Sequence, residues 1–315
     1  MSSESIAVLI PYFGELPNYF PIFLKSCETN GSIDWILFTD VCKNYDYPKN
    51  VHIVRMEFSI LQRMVQDKFD FEVSLSSPYK LCDYRPAFGY IFEEYISEYD
   101  FWGYGDVDLI YGDIRKYLTD DVMKCEKVFD RGHFSLVRNS YENNRMFMES
   151  NRYKDYYKQV FQSEKAFNFD ESFLDKVNIN MFFTEKGKLV CDRRFMADIY
   201  TKSSDFCLDN GDGKKENKRS AFFLWDNGRL FRYTSINSRI ERSEYMYIHL
   251  QKRKMKVAIN EDEMIIKIIP NCFEPLEFDI GDIEKKFGRI KKKHFNLHYF
   301  RLRFKNLLVK LKGRI

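Results

Sequence analysis

Three short apolar runs near the start of the chain constrain its fold more than any other feature. Residues 5–10 form a continuous apolar run that is closed by Pro11, and residues 35–39 and 51–55 repeat the pattern. Such runs predict buried strands of a parallel sheet. Residues 19–29 separate the first two runs and carry apolar side chains at helical spacing. Because strands and helices alternate, the sequence predicts an α/β fold with a mostly parallel central sheet flanked by helices.

The same periodicities predict the remaining elements. Helices are expected at 58–69, 86–96, 142–148, 153–161 and 173–183, and strands at 127–129, 134–137, 245–250 and 264–269, besides a strand that ends at Asp106. The chain has 315 residues, 44% of them apolar, which suffices for one large domain or two small ones. One domain with a C-terminal appendage is the simpler interpretation, because neither an internal repeat nor a low-complexity linker occurs.

Charge divides the chain into an acidic body and a basic tail. Residues 284–315 contain twelve Lys and Arg and one Glu. They therefore carry +11 and leave −8 of the total +3 on residues 1–283. We predict a main domain over residues 1–283 and a separate tail over residues 284–315.

The tail has the pattern of an amphipathic helix. Its apolar stripe lies between Arg and Lys side chains and consists of Leu297, Phe300, Phe304, Leu307, Leu308 and Leu311. This pattern over residues 285–312 is typical of an interfacial helix that binds an anionic membrane surface. A helix that docks on the main domain is the alternative. Nucleic acid is a third partner for such segments, but the acidic body would repel a polyanion, so no nucleic-acid partner is expected.

The compartment is predicted from three absences in the sequence. No run approaches the roughly 18 apolar residues that span a bilayer, and residues 1–5 lack the basic and apolar regions of a signal peptide. The seven cysteines are scattered and never spaced as C-x-x-C, which favours reduced thiols over a disulfide or zinc framework. We expect a cytoplasmic protein.

The motif Asp106-Val107-Asp108 is the strongest chemical signal. It follows an aromatic, β-prone run, and two carboxylates at a strand end are suitable ligands for a hard divalent cation. Two other predicted strands end at residues 10–14 and 38–40. In open α/β sheets ligands bind outside the carboxyl ends of the strands, so we expect these three ends to form one site.

Four features together carry a resemblance to a known family. They are the loop after the first strand, the Lys- and Arg-bearing segment 78–86, the Asp-x-Asp motif, and a late histidine, His249, followed by the basic residues 252–254. The chain resembles the GT-A-fold, metal-dependent nucleotide-sugar glycosyltransferases. It is closest in layout to family 8 galactosyltransferases among bacterial capsule and lipopolysaccharide enzymes. Segment 78–86 looks characteristic of an uncharacterised bacterial polysaccharide subfamily instead.

The resemblance implies a metal–diphosphate site. Asp106, Asp108 and His249 would bind Mn²⁺ or Mg²⁺, and imidazole favours Mn²⁺. The metal would bridge the phosphates of a UDP-sugar donor, with Val107 also placed in the donor site, and Lys252 would contact the diphosphate as a point charge. The alternatives are a half-buried strand histidine at His249 and a solvated surface lysine at Lys252.

The resemblance also implies residues around the nucleotide. The loop Pro11, Tyr12, Phe13 and Gly14 would wrap the uridine, with Gly14 permitting close backbone approach and one of the two aromatic rings stacking on the base. Asp40 would contact the uracil or ribose. The alternatives are core aromatics at the loop and a plain turn aspartate at Asp40.

A further set of implied residues borders the donor sugar and phosphates. Arg85 would contact both the donor sugar and carboxylates of the site, and Lys80 would reach phosphate, with Asp83 beside them. The alternative is a solvated helix start with Asp83 as its N-cap. His133 would border the donor sugar or be a structural turn histidine.

The attacking side of the reaction is implied by Asp170-Glu171. In family 8 the matching pattern is Asp-Gln-Asp, so Glu171 stands where the family has Gln. A carboxylate here would be a base in an inverting displacement or a nucleophile or ion-pair stabiliser in a retaining one. Acidic residues favoured at a helix N-terminus are the alternative.

The resulting hypothesis is a metal-dependent glycosyltransferase that moves a sugar from a UDP-sugar to a lipid-linked or oligosaccharide acceptor. It would act in surface polysaccharide biosynthesis, peripherally on the inner face of the cell membrane. The family 8-like order leans towards retention of the anomeric configuration. The alternatives are a nucleotidyltransferase of similar fold, although the Gly-rich phosphate loop that such enzymes usually carry is missing, and a non-catalytic membrane or nucleic-acid adaptor.

Overall fold

A computed structural model describes residues 4–210, 213–217, 220–237, 239–295 and 297–312. Residues 1–3, which belong to the segment 1–5 used to predict that a signal peptide is lacking, lie outside the described residues. So do residues 296 and 313–315 of the predicted tail. The chain forms two compact units. The first extends to Leu109 and includes Ile114–Arg194, and the second comprises Ile110–Asp113 and the chain from Phe195 onward. The predicted division at residue 283 stays a prediction.

The strands of the described chain are numbered in chain order. They are β1 (Ile6–Pro11), β2 (Ile33–Thr39), β3 (Val51–Arg55), β4 (Phe101–Gly105), β5 (Leu109–Tyr111), β6 (Lys127–Arg131), β7 (Phe134–Arg138), β8 (Val190–Cys191), β9 (Met196–Asp198), β10 (Ala221–Asp226), β11 (Arg229–Ile236), β12 (Arg239–Tyr245), β13 (Tyr247–His249), β14 (Lys256–Val257), β15 (Ile265–Ile269) and β16 (Cys272–Pro275).

The helices are mostly short. They are α1 (Phe20–Glu28), α2 (Phe58–Gln66), α3 (Leu81–Tyr84), α4 (Phe88–Ile91), α5 (Glu93–Ile96), α6 (Asp120–Met123), α7 (Tyr141–Asn144), α8 (Tyr156–Gln162), α9 (Ile179–Glu185), α10 (Ile283–Lys286) and α11 (Leu297–Lys312), with 3-10 turns at Pro78–Lys80, Arg85–Ala87, Arg115–Tyr117, Met146–Met148, Ile280–Asp282 and Phe287–Arg289.

The first unit is built on a mixed sheet in the order β3-β2-β1-β4-β7-β6-β8. Strands β3, β2, β1 and β4 are parallel neighbours, and β7 runs antiparallel to both β4 and β6. Alternate residues of β1 and β2, such as Ala7 and Phe38, enter a core cluster with residues of α2, α4, α5, α8 and α9. Their neighbours Val8 and Leu37 point to the other face and are also buried. The prediction of an α/β fold with a central sheet flanked by helices is confirmed.

Three predicted helices of the first unit differ from those observed. The one expected at 142–148 is divided into α7 and the 3-10 turn Met146–Met148. The helix expected at 86–96 is divided into a 3-10 turn, α4 and α5, and the backbone departs from helical angles at Phe92, with φ −105° and ψ 27°. Within α4, Gly89 packs so closely on Trp102 that a Cβ would lie 2.5 Å from the indole ring. The helix expected at 173–183 begins only at Ile179. Asn178 caps it by accepting a hydrogen bond from the backbone N–H of Asn180.

The second unit contains two sheets. One is mostly antiparallel, in the order β12-β11-β10-β15-β16-β14, and the other is the three-stranded sheet β5-β13-β9. The strand predicted at 245–250 is divided between them, because the chain leaves β12 at Tyr245 and Met246 donates its backbone N–H to Phe195 O before β13 begins.

The predicted tail has two structural parts. Ile283, Phe287 and Ile290 are buried in a core cluster with residues of β10 and β11, so the start of the tail is part of the second unit. The interfacial pattern expected over 285–312 is therefore confined to α11, whose Phe300 and Phe304 rings are exposed. No helix of the described residues has the length and apolar character needed to cross a membrane.

Candidate active site

Arg85 is the centre of a charged cluster in the first unit. Its Nη1 donates to Asp170 Oδ2 and to the carbonyl oxygen of Gly132, both at 2.8 Å, and its Nη2 forms a short ion pair with Asp106 Oδ1. Burial lowers the pKa of Arg85, but the carboxylates of Asp106 and Asp170 outweigh it and raise the pKa well above its usual value. One guanidinium therefore joins the Asp-x-Asp motif to the Asp170-Glu171 pair.

The Asp-x-Asp motif stands at the carboxyl end of β4, as its sequence predicts. Every residue of β4 is buried, and β4 pairs with β1 in parallel and with β7 in antiparallel register. Asp106 follows directly and donates its backbone N–H to His133 O at 3.0 Å. Its side chain is 30% exposed, whereas Val107 and Asp108 are buried. The two carboxylates are oxygen ligands of the kind that Mg²⁺ or Mn²⁺ binds.

The turn between β6 and β7 closes around Arg85. A Cβ on Gly132 would lie 2.4 Å from Asp170 Oδ2 and 3.2 Å from Arg85 Nη1, so only glycine permits this approach. The next residue, His133, is buried, and its backbone oxygen holds Asp106. The structure thus gives His133 a positioning contact, and its predicted role beside a donor sugar stays a prediction.

Asp170 is buried beneath this turn. Burial raises its pKa to about 7, Arg85 opposes the shift, and neighbouring Glu171 adds to it. Tyr104 of β4 donates its hydroxyl to the backbone oxygen of Asp170 at 3.0 Å. Asp170 therefore binds the Arg85 guanidinium on the buried side of the cluster.

Glu171 is only half-buried. Its carboxylate accepts from the backbone N–H of Gly132 and from the Asn168 side-chain amide, each at 3.3 Å. The alternative of a helix N-terminus at these acidic residues is wrong, because α9 begins at Ile179 and Asn168 has a left-handed backbone, with φ 60°. Glu171 is the member of the pair that faces outward.

Lys80 and Asp83 form a buried clamp, which also excludes the solvated helix start. The Lys80 Nζ donates to Asp83 Oδ2 at 2.8 Å, to Val160 O at 2.9 Å and to Lys165 O at 2.6 Å. These contacts use all three donors of an ammonium. Asp83 in turn accepts from the backbone N–H groups of Phe167 and Phe169. In place of the predicted phosphate contact, the structure gives this pair the role of holding segment 160–169.

The loops after β1 and β2 meet beside the Asp-x-Asp motif. Gly14, with φ 98°, donates its backbone N–H to Asp40 Oδ1 at 2.9 Å. Pro11 ends β1, and Phe13 is buried against Phe58, with ring centroids 5.2 Å apart. The Phe13 ring therefore belongs to the core, which leaves Tyr12 as the loop's candidate for a base contact.

The negative charges of Asp106 and Asp108 act on the phenol of Tyr12. Burial, then Asp108 and Asp106, raise the pKa of its phenol. The Tyr12 hydroxyl donates to Glu15 O at 2.9 Å. The expected convergence of the ends of β1, β2 and β4 is thus observed within the first unit.

The second unit carries the predicted late residues. His249 ends β13, and its Nδ1 lies 2.9 Å from Asp198 Oδ1, the neighbouring residue in β9. A carboxylate that orients a histidine ring is usual where the histidine binds a metal. Gln251 and exposed Lys252 follow, both with φ 55°, in a turn closed by Arg253 N–H donating to Leu250 O at 3.0 Å. Side chains in two successive left-handed positions cost about 1 kcal/mol or more each, which is typical of functional turns.

The family of the chain is shown by its sequence. A model of a family of unknown function, DUF6625, matches residues 8–277. The chain belongs to this family. In this DUF6625 protein the matched range includes every predicted site residue and ends before α11.

Solved structures with partial similarity are glycosyltransferases by their descriptions. One is the galactosyltransferase LgtC in complex with donor and acceptor sugar analogues, with TM-score 0.35, 11% identity, and coverage of 61% of this chain and 75% of that chain. An active-site mutant of LgtC gives TM-score 0.33, 12% identity and the same coverages. Mouse xyloside xylosyltransferase 1 in its apo form gives TM-score 0.34, 9% identity, and coverage of 63% and 88%. No curated protein matches the chain. The proposed function rests on this chain's own residues.

Lys127 is a buried residue that sequence patterns did not single out. Its Nζ donates to Phe129 O at 2.6 Å and to Ser135 Oγ at 2.9 Å. Burial lowers its pKa to about 7, opposed by Asp130 and Asp170. Lys127 holds the irregular turn at Phe129, where φ is 68°. The lysine within the strand predicted at 127–129 was the feature of the sequence that could have indicated a buried charge.

Proposed function

We propose that the chain is a metal-dependent glycosyltransferase that moves a sugar from a UDP-sugar to a glycan or glycolipid acceptor. The observation that carries the proposal is the contact of Arg85 with both Asp106 and Asp170 within the first unit. It joins the Asp-x-Asp motif at a strand end to a pair of carboxylates. The motif would bind the cation that stabilises the leaving diphosphate, and the pair would serve the acceptor.

The donor side of the proposal is built on Asp106 and Asp108. These carboxylates would hold Mn²⁺ or Mg²⁺, which neutralises the diphosphate as it leaves. Tyr12, Gly14 and Asp40 would contact the nucleoside, a role supported by the hydrogen bond between Gly14 and Asp40. Arg85 adds a half-buried positive charge beside the same carboxylates. His249 as third ligand and Lys252 as diphosphate contact stay predictions from the sequence.

The acceptor side is built on Glu171. Asp170 is buried and paired with Arg85, so its role is to position the guanidinium. Glu171 is half-buried and would be the carboxylate that acts on the substrate. It would take the proton of the acceptor hydroxyl in an inverting displacement, or act as nucleophile or ion-pair stabiliser in a retaining one. The anomeric configuration of the product distinguishes these two courses.

We also propose that α11 attaches the protein to an anionic membrane surface, at the inner face of the cell membrane. The helix exposes Phe300, Phe304, Leu307, Leu308 and Leu311. Exposed apolar groups among basic residues favour the interface of an anionic bilayer, where each Lys or Arg contributes about 1 kcal/mol. Attachment there would suit a lipid-linked acceptor of surface polysaccharide biosynthesis.

The central experiment is a panel of UDP-, GDP-, CMP- and dTDP-sugars, assayed for hydrolysis with Mn²⁺, with Mg²⁺ and with EDTA. We expect one donor to be turned over with metal only. Asp106→Asn and Asp108→Asn should abolish turnover, whereas Asp113→Asn, an exposed aspartate five residues further on, should retain it. The absence of turnover and of binding for every nucleotide sugar would refute the proposal.

A further inference from the structure

Tyr79 is an exposed aromatic residue on a firmly held turn. It lies in the 3-10 turn Pro78–Lys80, and 66% of the residue is exposed. The next residue, Lys80, is buried with all three of its donors bound within the protein. Lys80 is therefore held inside the protein, while most of the surface of Tyr79 is accessible from outside.

The Lys80–Asp83 clamp fixes Tyr79 relative to the acidic pair. Lys80 is bonded to Lys165 O, and Asp83 accepts from Phe169 N–H at 3.2 Å. Tyr79 immediately precedes Lys80, and Asp170 immediately follows Phe169. Five hydrogen bonds from the clamp to segment 160–169 therefore connect the turn that carries Tyr79 to the chain that leads into Asp170.

Different carboxylates act on Tyr79 and on Tyr12. Burial raises the pKa of Tyr79, and Asp170 and Glu171 are among the carboxylates that add to the shift. The corresponding carboxylates for Tyr12 are Asp108 and Asp106. The clamp connects Tyr79 to the acidic pair through Phe169, whereas Tyr12 belongs to the loop after β1, the strand that pairs with β4 ahead of the Asp-x-Asp motif.

We propose that Tyr79 is the platform on which a pyranose ring of the acceptor glycan stacks, next to Glu171. The inference rests on the proposed glycosyltransferase function and adds the position and chemistry of its acceptor. The aliphatic face of a pyranose presents C–H groups that pack on the negative face of an aromatic ring. Asn168 and Glu171 supply polar groups of the kind that orient a ligand on such a surface.

The stacking residue is expected to discriminate among acceptors by shape. The aromatic ring of Tyr79 would stack on one face of the sugar, so it favours glycosides whose C–H groups lie together on that face. Polar contacts would fix the orientation of the sugar hydroxyls. Because the clamp holds the backbone, loss of the ring should remove the contact and leave the fold of segment 160–169 intact.

The test measures glycoside binding and nucleotide binding separately. Methyl α- and β-glycosides of glucose, galactose, mannose and N-acetylglucosamine are titrated by saturation-transfer NMR into the full chain with UDP and the diamagnetic cation Mg²⁺ present. We compare wild type with Tyr79→Ala, Tyr79→Phe and Tyr141→Ala. Tyr141 is the matched control, since it is also exposed. Its ring centroid lies 3.8 Å from Cζ of Arg145.

We expect at least one glycoside to bind the wild type, and Tyr79→Ala to weaken it about five- to tenfold. Tyr79→Phe and Tyr141→Ala should bind it like wild type, and all four proteins should bind UDP equally. Equal glycoside binding by wild type and Tyr79→Ala, or no glycoside binding by wild type that binds UDP, would overturn this inference alone. Failure of the wild type to bind UDP or any other nucleotide would instead count against the proposed function.

Discussion

Arg85 and Asp170 form an ion pair inside the first unit, with Arg85 Nη1 2.8 Å from Asp170 Oδ2. The second terminal nitrogen of the same guanidinium pairs with Asp106. A rigid fork of donors serves two carboxylates at once, which a lysine ammonium does not reproduce. The pairing therefore sets the position of the Asp-x-Asp motif relative to the acidic pair.

Replacing Arg85 by lysine should disable turnover. Arg85→Lys keeps the positive charge but loses at least one charge-assisted hydrogen bond, so we expect nucleotide-sugar turnover to fall about 10- to 100-fold. Steady-state hydrolysis of the donor found in the sugar panel measures the effect. Arg145→Lys is the control, because Arg145 pairs with Glu93 away from this cluster. Wild-type turnover by Arg85→Lys would contradict the bridging role.

The Lys80–Asp83 clamp should contribute strongly to stability. Lys80→Met leaves a buried carboxylate without its ammonium, which costs about 3–5 kcal/mol of unfolding free energy. Lys158→Met is a matched comparison, since Lys158 pairs with Asp155 at the same three-residue spacing but in solvent. An exposed pair contributes about 0–1 kcal/mol. Urea unfolding of both variants measures the difference, and equal midpoints would show that the clamp is not structural.

Lys127 should make stability depend on pH. Burial lowers its pKa to about 7 in the folded chain, against an ordinary value of 10.5. Between these two values the unfolded chain holds a proton that the folded chain does not, so the contribution of Lys127 to the unfolding free energy rises with pH. Below pH 7 the lysine is charged in both states and its burial is fully destabilising.

Comparison with Lys127→Met isolates this effect. From pH 7 to pH 9 wild type should gain up to about 1.4 kcal/mol per pH unit relative to Lys127→Met. Lys124→Met, at an exposed lysine before β6, should keep a constant difference from wild type. Urea titrations at pH 7, 8 and 9 measure all three. A pH-independent difference for Lys127→Met would mean that this lysine does not titrate in the window.

The exposed face of α11 should mediate membrane attachment. A chain truncated after Phe295 retains Ile283, Phe287 and Ile290, which belong to the core. We expect the full chain to sediment with phosphatidylglycerol-containing liposomes at low salt and the truncated chain to remain in solution. A variant with Phe300→Ser and Phe304→Ser should bind weakly while keeping its charge. Equal sedimentation of full and truncated chains would refute membrane attachment through α11.

Part of the site was predictable from sequence because it follows from strand ends. Asp106 and Gly14 each follow a buried apolar run, and parallel strands bring their carboxyl ends to one edge of a sheet. Lys80 was placed at phosphate and instead lies in the interior. Two of its three hydrogen-bond partners, Val160 and Lys165, are 80 and 85 residues away in sequence, and no local pattern records such partners.

The amino-acid sequence by itself determined the α/β class, the Asp-x-Asp motif at the end of β4 and the amphipathic character of α11. These features depend on local hydrophobic periodicity, which the chain carries wherever it folds. Only the tertiary structure decided that Arg85 joins Asp106 to Asp170, that Lys80 and Asp83 are a clamp, and that Tyr79 is exposed on the turn that this clamp holds. Burial and ion pairing are set by residues brought together from distant parts of the chain, and they determine which polar groups remain for a ligand.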